Sequence, residues 1–448
     1  MLRIILVLIS FLKIITCEKP SFELFKKIMP TTHFKKYFPY KIQFYSDGNI
    51  AMSVPRMYYG DVNIDNDLKA YPTLFNITKY KEEPDVLLKN DKIYSVMGFV
   101  IDMDDSLYIL DQGIINSTTN TTKKDSAKLI MYNEKNKKKV IYNFNNIDLT
   151  YSLLTDVAVD HDGKYAYITD SGNQNVGDNS PGIIVVNLKN NQTYKILNNH
   201  ESFKHNENEK KALNVNTNEL DDKIYKYFHE AIGVNSIHIS CNDETIYYTS
   251  YKKKNIFIVS TDEIQKAIEN YEKSKNKDDL NNIKVNSINI NFASENTIIS
   301  SKNNIFSLNL EQKYIEESFN INEDLSVYEK DNKIIMYNDS EIGIPVSISI
   351  YDGNLYLLDP FCKSSVYHAY IYKAELPKDE LNNNFGCTVF HFKLNGAIIF
   401  IFVWFFIILV VAIIIIIANS GNTLEKSNLR KEMEKEADIN ELNKELNE

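Results

Sequence analysis

One pattern recurs along the chain and restricts its fold more than any other feature. An alternating apolar stretch runs into an Asp, Gly or Asn turn, and a second stretch rich in aromatics follows, often closing on Asp. The copies run from Ile42 to Val54, Val100 to Asp111, Val157 to Asp170, Ile237 to Ser250 and Val346 to Asp359, with a degraded copy from Ile288 to Leu310. Period-2 alternation around a turn signal reads as a β-hairpin. Further strand-like runs follow, such as those at Leu129, Val140, Ile183, Ile256 and Ile334. Units of four strands at a spacing of ~55 residues predict an all-β, six-bladed β-propeller, because a lone hairpin cannot bury both of its faces. A stretch from His33 to Tyr40 is expected to close the ring as a strand of the last blade. Glu201 to Asp222 reads as a polar insertion, and Ile264 to Asp279 as a helix decorating one face.

Two apolar segments flank the repeats. Residues 1–17 have the form of a signal peptide, with Arg3, an apolar stretch from Ile4 to Ile15, and small residues at Thr16-Cys17. Ala397 to Ala418 is uncharged and, as a helix, would span about 33 Å, enough to cross a bilayer core. A transmembrane helix at 395–418 would leave residues 18–390 as an ectodomain and 419–448 as a cytosolic tail, with Lys426, Arg430 and Lys431 on the cytosolic side. The expectation is a single-pass type I membrane protein of the cell surface or a secretory-pathway organelle. The formal charge of −10 argues against nucleic acid as a partner.

In an oxidising lumen Cys241, Cys362 and Cys387 would be available, and Cys241 with Cys362 is the expected bridge. Cys387 could join two chains, as could a short helix in the tail carrying Leu429, Met433 and Ile439. N-glycosylation sequons stand at Asn76, Asn116, Asn120, Asn191 and Asn338. Asn occurs 54 times and Lys outnumbers Arg 47 to 3, a bias that fits an AT-rich, protist-type genome. Abundant Asn and Lys therefore say little, and the rare Arg says more.

Met52-Ser-Val-Pro-Arg-Met-Tyr-Tyr-Gly60, Ala70-Tyr-Pro72, the stretch from Val100 to Gly113, the stretch from Leu154 to Gly172, and Gly182-Ile-Ile-Val185 occur in order. This series resembles the yellow/major royal jelly protein family over roughly residues 38–360. The resemblance implies a secreted six-bladed propeller without fixing an activity. Its members include proteins linked to melanin-pathway conversion, binders of biogenic amines or other small ligands, and structural proteins. The anchor and the scarcity of Cys depart from that pattern.

In a four-stranded blade the loop entering the inner strand and the loop leaving the second strand share one face. That geometry gathers Arg56, Asp111, Asp156, Asp170, Asn235, Tyr251 and Asp359 as candidate ligand-binding residues. Arg56 is the single Arg between the signal and the tail, so a planar fork pairing with a carboxylate is expected there, as an inter-blade tie or a ligand contact. Asp156, Asp170 and Asn235, with Asp111, could form an oxygen cage for Ca²⁺, comparable to sites in lactonase-like propellers; they could equally cap strands or attract a cationic amine. Asp160-His161-Asp162 falls in a hairpin turn on the opposite face.

No catalytic constellation stands out. The reading is a membrane-anchored propeller that recognises a protein or small ligand without catalysis. The alternatives are a Ca²⁺-dependent hydrolase or pigment-pathway isomerase, and a structural surface protein.

Overall fold

The computed structural model describes residues 23–28, 38–56, 73–78, 81, 84–88, 92–116, 121–122, 126–149, 152–172, 180–204, 233–240, 242–250, 253–290, 297–299, 305–309, 314–318, 333–336, 345–363, 366–376 and 428–436. The chain divides into two compact units, Met1–Thr388 and Val389–Glu448.

The first unit is a β-propeller. Strand β1 (Glu23–Ile28) is followed by the first blade: β2 (Lys41–Phe44), β3 (Ile50–Ser53), β4 (Leu74–Ile77) and β5 (Asp85–Val86). The second has β6 (Val96–Ile101) and β7 (Ser106–Asp111), a small β8 (Ile114–Asn116) and β9 (Thr121–Thr122) hairpin, then β10 (Lys128–Asn133) and β11 (Lys138–Asn143). The third has β12 (Leu154–Val159), β13 (Tyr165–Asp170), β14 (Gly182–Asn187) and β15 (Gln192–Ile196). The fourth has β16 (Val234–Ile239), β17 (Thr245–Ser250), β18 (Asn255–Ser260) and β19 (Asn286–Asn289). The fifth has β20 (Thr297–Ile299), β21 (Ile305–Asn309), β22 (Tyr314–Ser318) and β23 (Lys333–Met336). The last has β24 (Ser347–Tyr351), β25 (Asn354–Lys363) and β26 (Val366–Glu375).

These form six four-stranded antiparallel sheets, with β1 as the outer strand of the last. The inner strands β2, β6, β12, β16, β20 and β24 neighbour one another in a closed ring. Closure comes from Glu23–Ile28 pairing with β26, not from residues 33–40 as the sequence suggests. Phe38 and Tyr40 instead enter the core between the first and last blades. The degraded repeat also begins later than expected: Asn286–Asn289 is the outer strand of the fourth blade, and the fifth starts at Thr297.

Each second strand buries both faces, one in each neighbouring seam, and so reads as a near-continuous apolar run. In β7, Leu107 and Ile109 pack toward the first blade, while Tyr108 and Leu110 pack toward the third. In β25, Leu355 and Leu357 face one seam, and Tyr356 and Leu358 the other. The last hairpin turns through Asp352 and Gly353, both at positive φ, as a two-residue turn between twisted strands requires.

Helix α1 (Thr261–Ser274) sits between β18 and β19 and buries Ile264, Ala267 and Ile268 against the seam of blades three and four. Asp262 and Glu263 in its first turn complement the helix dipole. The segment read as a polar insertion starts with a 3-10 turn, Glu201–Phe203, whose Phe203 is fully buried against Tyr248. The Tyr248 hydroxyl donates to Ser202 Oγ at 2.9 Å, so the first residues of this segment belong to the core.

In the second unit, residues 428–436 are helical and exposed. Among the described residues no helix is long and apolar enough to cross a membrane; Ala397 to Ala418 lies outside them. Cys241, Cys387, Asn120, Asn338 and Tyr251 also lie outside, as do the side chains of Cys362 and Asn116. Asn76 lies within β4, and Asn191 in the turn between β14 and β15 at positive φ.

Candidate functional site

The strand-terminal carboxylates are structural staples. Asp111, at the end of β7, is wholly buried. It accepts from the Tyr94 and Ser95 N–H groups at 3.0–3.1 Å, from Gly113 N–H at 3.0 Å and from Lys128 Nζ at 2.8 Å. Asp170 repeats the arrangement one blade on, accepting from Ser152 Oγ at 2.6 Å, Leu153 N–H at 3.2 Å, Gly172 N–H at 2.9 Å and Lys195 Nζ at 2.8 Å. In each case the carboxylate ties the loop entering the inner strand to the end of the second strand. The glycine two residues on adopts positive φ, as the turn back under the carboxylate demands. Asp359 is buried near the corresponding point of β25.

Arg56 is buried and donates Nη1 hydrogen bonds to the Ile93 and Tyr94 carbonyls, while its N–H donates to Ser95 Oγ at 3.1 Å. It grips the same peptide segment whose N–H groups Asp111 holds. Arg56 thus ties blade one to the loop entering blade two, while Asp111 and Asp170 each tie the entering loop to the second strand of their own blade.

A different group meets in the central channel. In three successive inner strands the register shifts at the same place, between Val96 and Phe99, between Leu154 and Val157, and between Val234 and Ile237. Such bulges re-aim side chains. Gly98 in the first lets the second approach: a Cβ there would lie 2.6 Å from the Asp156 Cα.

Lys41, from the first blade, forms a buried ion pair with Asp156 of the third. Asp156 Oδ1 also accepts from Val157 N–H at 2.9 Å, and Oδ2 from Ser236 Oγ of the fourth blade at 3.3 Å. Ser236 Oγ lies 3.1 Å from His238 Nε2. Beside them Asn235 Oδ1 receives the Tyr40 hydroxyl at 3.5 Å, and the Asn235 carbonyl accepts from Thr155 Oγ1 at 2.8 Å. Desolvation pushes the His238 imidazole down to about 4, against the opposing influence of Asp156.

This order of donors decides what the serine can do. A carboxylate only accepts, so a Ser236 hydroxyl that donates to Asp156 has Oγ left to accept from His238 when Nε2 carries the imidazole proton. In an activated serine the imidazole takes the hydroxyl proton instead. Lys41, Asp156, Ser236 and His238 thus form one hydrogen-bonded chain across three blades.

Of the candidate residues, Asp156 and Asn235 belong to this cluster; Arg56, Asp111 and Asp170 serve the staples. Ca²⁺ fits poorly. Asp170 is occupied by four protein donors including an ammonium, Asp156 faces another ammonium, and no group of three or more His, Cys, Asp or Glu suited to a metal gathers among the described residues. Sequence reasoning missed Lys41, Ser236 and His238. Lys41 and His238 carried a signal, a charged and an imidazole side chain on inner strands; Ser236 carried none.

On the opposite face, Asp160-His161-Asp162 forms the β12–β13 turn. His161 N–H donates at 3.0 Å to both oxygens of Asp243 in the next blade, and its Nδ1 contacts the same carboxylate. Ser46 makes a similar latch to Asp105, with N–H at 2.7 Å and Oγ at 2.5 Å. Burial, with nearby Asp162 and Asp243, raises the Asp160 carboxyl to about 7.

The sequence model of the major royal jelly protein family matches residues 94–385, more than half of the chain. No curated protein matches it. Among solved structures, a catalytically inactive virginiamycin B lyase from Staphylococcus aureus with quinupristin is 10% identical, with 80% of this chain and 100% of that chain covered at a TM-score of 0.42. Kuenenia stuttgartiensis hydrazine synthase is 11% identical, with 74% and 82% covered at a TM-score of 0.41. Likeness at that level says nothing about chemistry.

Proposed function

Since the chain belongs to the major royal jelly protein family, we propose that it is a recognition propeller that binds a small polar ligand in the central channel, above the Lys41–Asp156 pair. One observation carries this reading: a buried ion pair extended by hydrogen bonds joins the inner strands of three blades across the ring. Burying an ion pair is weak evidence for stability, since apolar side chains of similar volume would serve as well or better. A few convergent polar groups inside a ring of strands are what a small-ligand site requires.

The apolar run from Ala397 to Ala418 supports tethering to a membrane, with the propeller outside the cytosol at the cell surface or in a secretory-pathway organelle. The serine geometry supports recognition over catalysis. The full chain, expressed through a secretory route and extracted in detergent, is expected to retain a small molecule in native mass spectrometry. A Lys41→Met/Asp156→Asn double variant should lose it. Hydrolysis of a lactone abolished by Asp156→Ala would replace this reading with an enzyme. A chain that retains and binds no small molecule would favour a structural surface protein.

A further inference from the structure

The two charges of the channel pair are not equally satisfied. Asp156 is full: Oδ1 takes Lys41 Nζ and Val157 N–H, and Oδ2 takes the Ser236 hydroxyl and, at 3.5 Å, Ile237 N–H. Lys41 has three N–H donors and gives one to Asp156; among the described residues no second acceptor reaches Nζ. The Phe99 ring, 6.0 Å away, attracts the charge but accepts no directed bond at that distance. The side chain is 7% exposed, so bulk water does not solvate it freely. A buried ammonium with unused donors is costly unless an acceptor completes it.

We infer that the ligand of this site is a small carboxylate, whose oxygen completes the hydrogen bonding of Lys41 while Asp156 acts as a fixed counter-ion. This rests on the channel-binding reading above and narrows it. A cationic amine is the wrong partner, because it would meet Lys41 and find no free oxygen on Asp156. His238 adds no second positive charge, since it is neutral at ordinary pH and is held by Ser236. The selectivity therefore depends on one lysine.

The test titrates the full-length protein in detergent at pH 7 with benzoate, benzamide and benzylamine, and with acetate, acetamide and methylamine, by calorimetry and thermal shift. Each set keeps its shape while its charge runs from negative to positive. Carboxylates should bind at least about tenfold more tightly than either isostere, since an ion pair in a poorly solvated channel is weakly screened. Asp156→Asn should raise carboxylate affinity by about tenfold, because it removes a competing anion. The Lys41→Met/Asp156→Asn variant, which leaves no unpaired charge, should lose binding; it and the wild-type selectivity series decide the matter should Asp156→Asn fold poorly.

Preference for the amines, lost in the variants, overturns the carboxylate assignment and leaves the channel-binding reading standing. A retained small molecule that is displaced by neither carboxylate nor amine also overturns the assignment alone. No bound molecule and no response to any probe overturns both.

Discussion

Gly98 and Asp156 touch through their backbones. A Cβ on Gly98 would lie 2.6 Å from the Asp156 Cα and 2.6 Å from the Thr155 carbonyl oxygen, with backbone atoms on both sides and nothing flexible to move aside. The glycine sets how closely the second and third inner strands approach, and hence where the Asp156 carboxylate sits. Gly98→Ala should destabilise the propeller by about 1–3 kcal/mol through overpacking. It should weaken retention of the channel ligand by more than that loss alone explains. Chemical denaturation and native mass spectrometry on the same preparation separate the two effects; unchanged stability would show that the strands can part at no cost.

The staples make a contrasting prediction. Asp111→Asn and Asp170→Asn each leave a partly buried lysine, Lys128 or Lys195, without its carboxylate. Breaking a buried pair from one side costs about 3 kcal/mol, most of it from the stranded charge. Both variants should lose stability and keep ligand selectivity. If either instead abolished binding while unfolding at the wild-type midpoint, the assignment of these carboxylates to blade structure would fail.

How much of this was legible beforehand follows from what each feature depends on. The hairpins were legible because burial on two faces makes a strand such as β7 a short apolar run, and Asp-Gly turns at 47-48, 162-163 and 352-353 mark where such hairpins reverse. Ring closure was not, because β1 pairs with a strand nearly 350 residues away, and its sequence, Glu23-Leu-Phe-Lys-Lys-Ile28, carries little alternation. Asp156 and Asn235 were picked out at the entry to inner strands, and Asp111 and Asp170 at the exit from second strands; position on a face does not reveal that Lys128 and Lys195 pair with the latter two. Lys41 was hidden by the abundance of lysine in the chain; only its burial distinguishes it.

Closure by β1 predicts a dependence on residues 23–28. Replacing them with a Gly/Ser sequence, with residues 1–22 unchanged, leaves β26 as a long unpaired edge. Such an edge templates aggregation. The variant should form oligomers on size exclusion and unfold over a broader transition than the wild type. A monomer with a wild-type transition would mean that β1 contributes nothing to holding the ring shut.

Two buried groups give stability an unusual pH profile. Asp160 titrates near 3.8 when unfolded and at about 7 in the folded protein, chiefly because burial disfavours its charge. The folded state holds a proton that the unfolded chain has released, so stability falls as pH rises between those values, and the loss is complete above about 7. The groups around it are the Lys164 and Tyr165 N–H donors, Asp162, and Asp243 with its partner His161. His238 works in the other sense. Its ordinary value is 6.5 and its folded value about 4, so the unfolded chain takes up a proton that the folded one refuses, and stability falls as pH drops through that window. Between about 4 and 6.5 the two slopes oppose each other. Thermal unfolding at a series of pH values should show Asp160→Asn more stable than the wild type at pH 8, with no gain on mild acidification. His238→Gln, which can still donate to Ser236, should resist acid better than the wild type. An Asp160→Asn profile that overlays the wild type at pH 8 would mean that the carboxyl is ionised there without penalty.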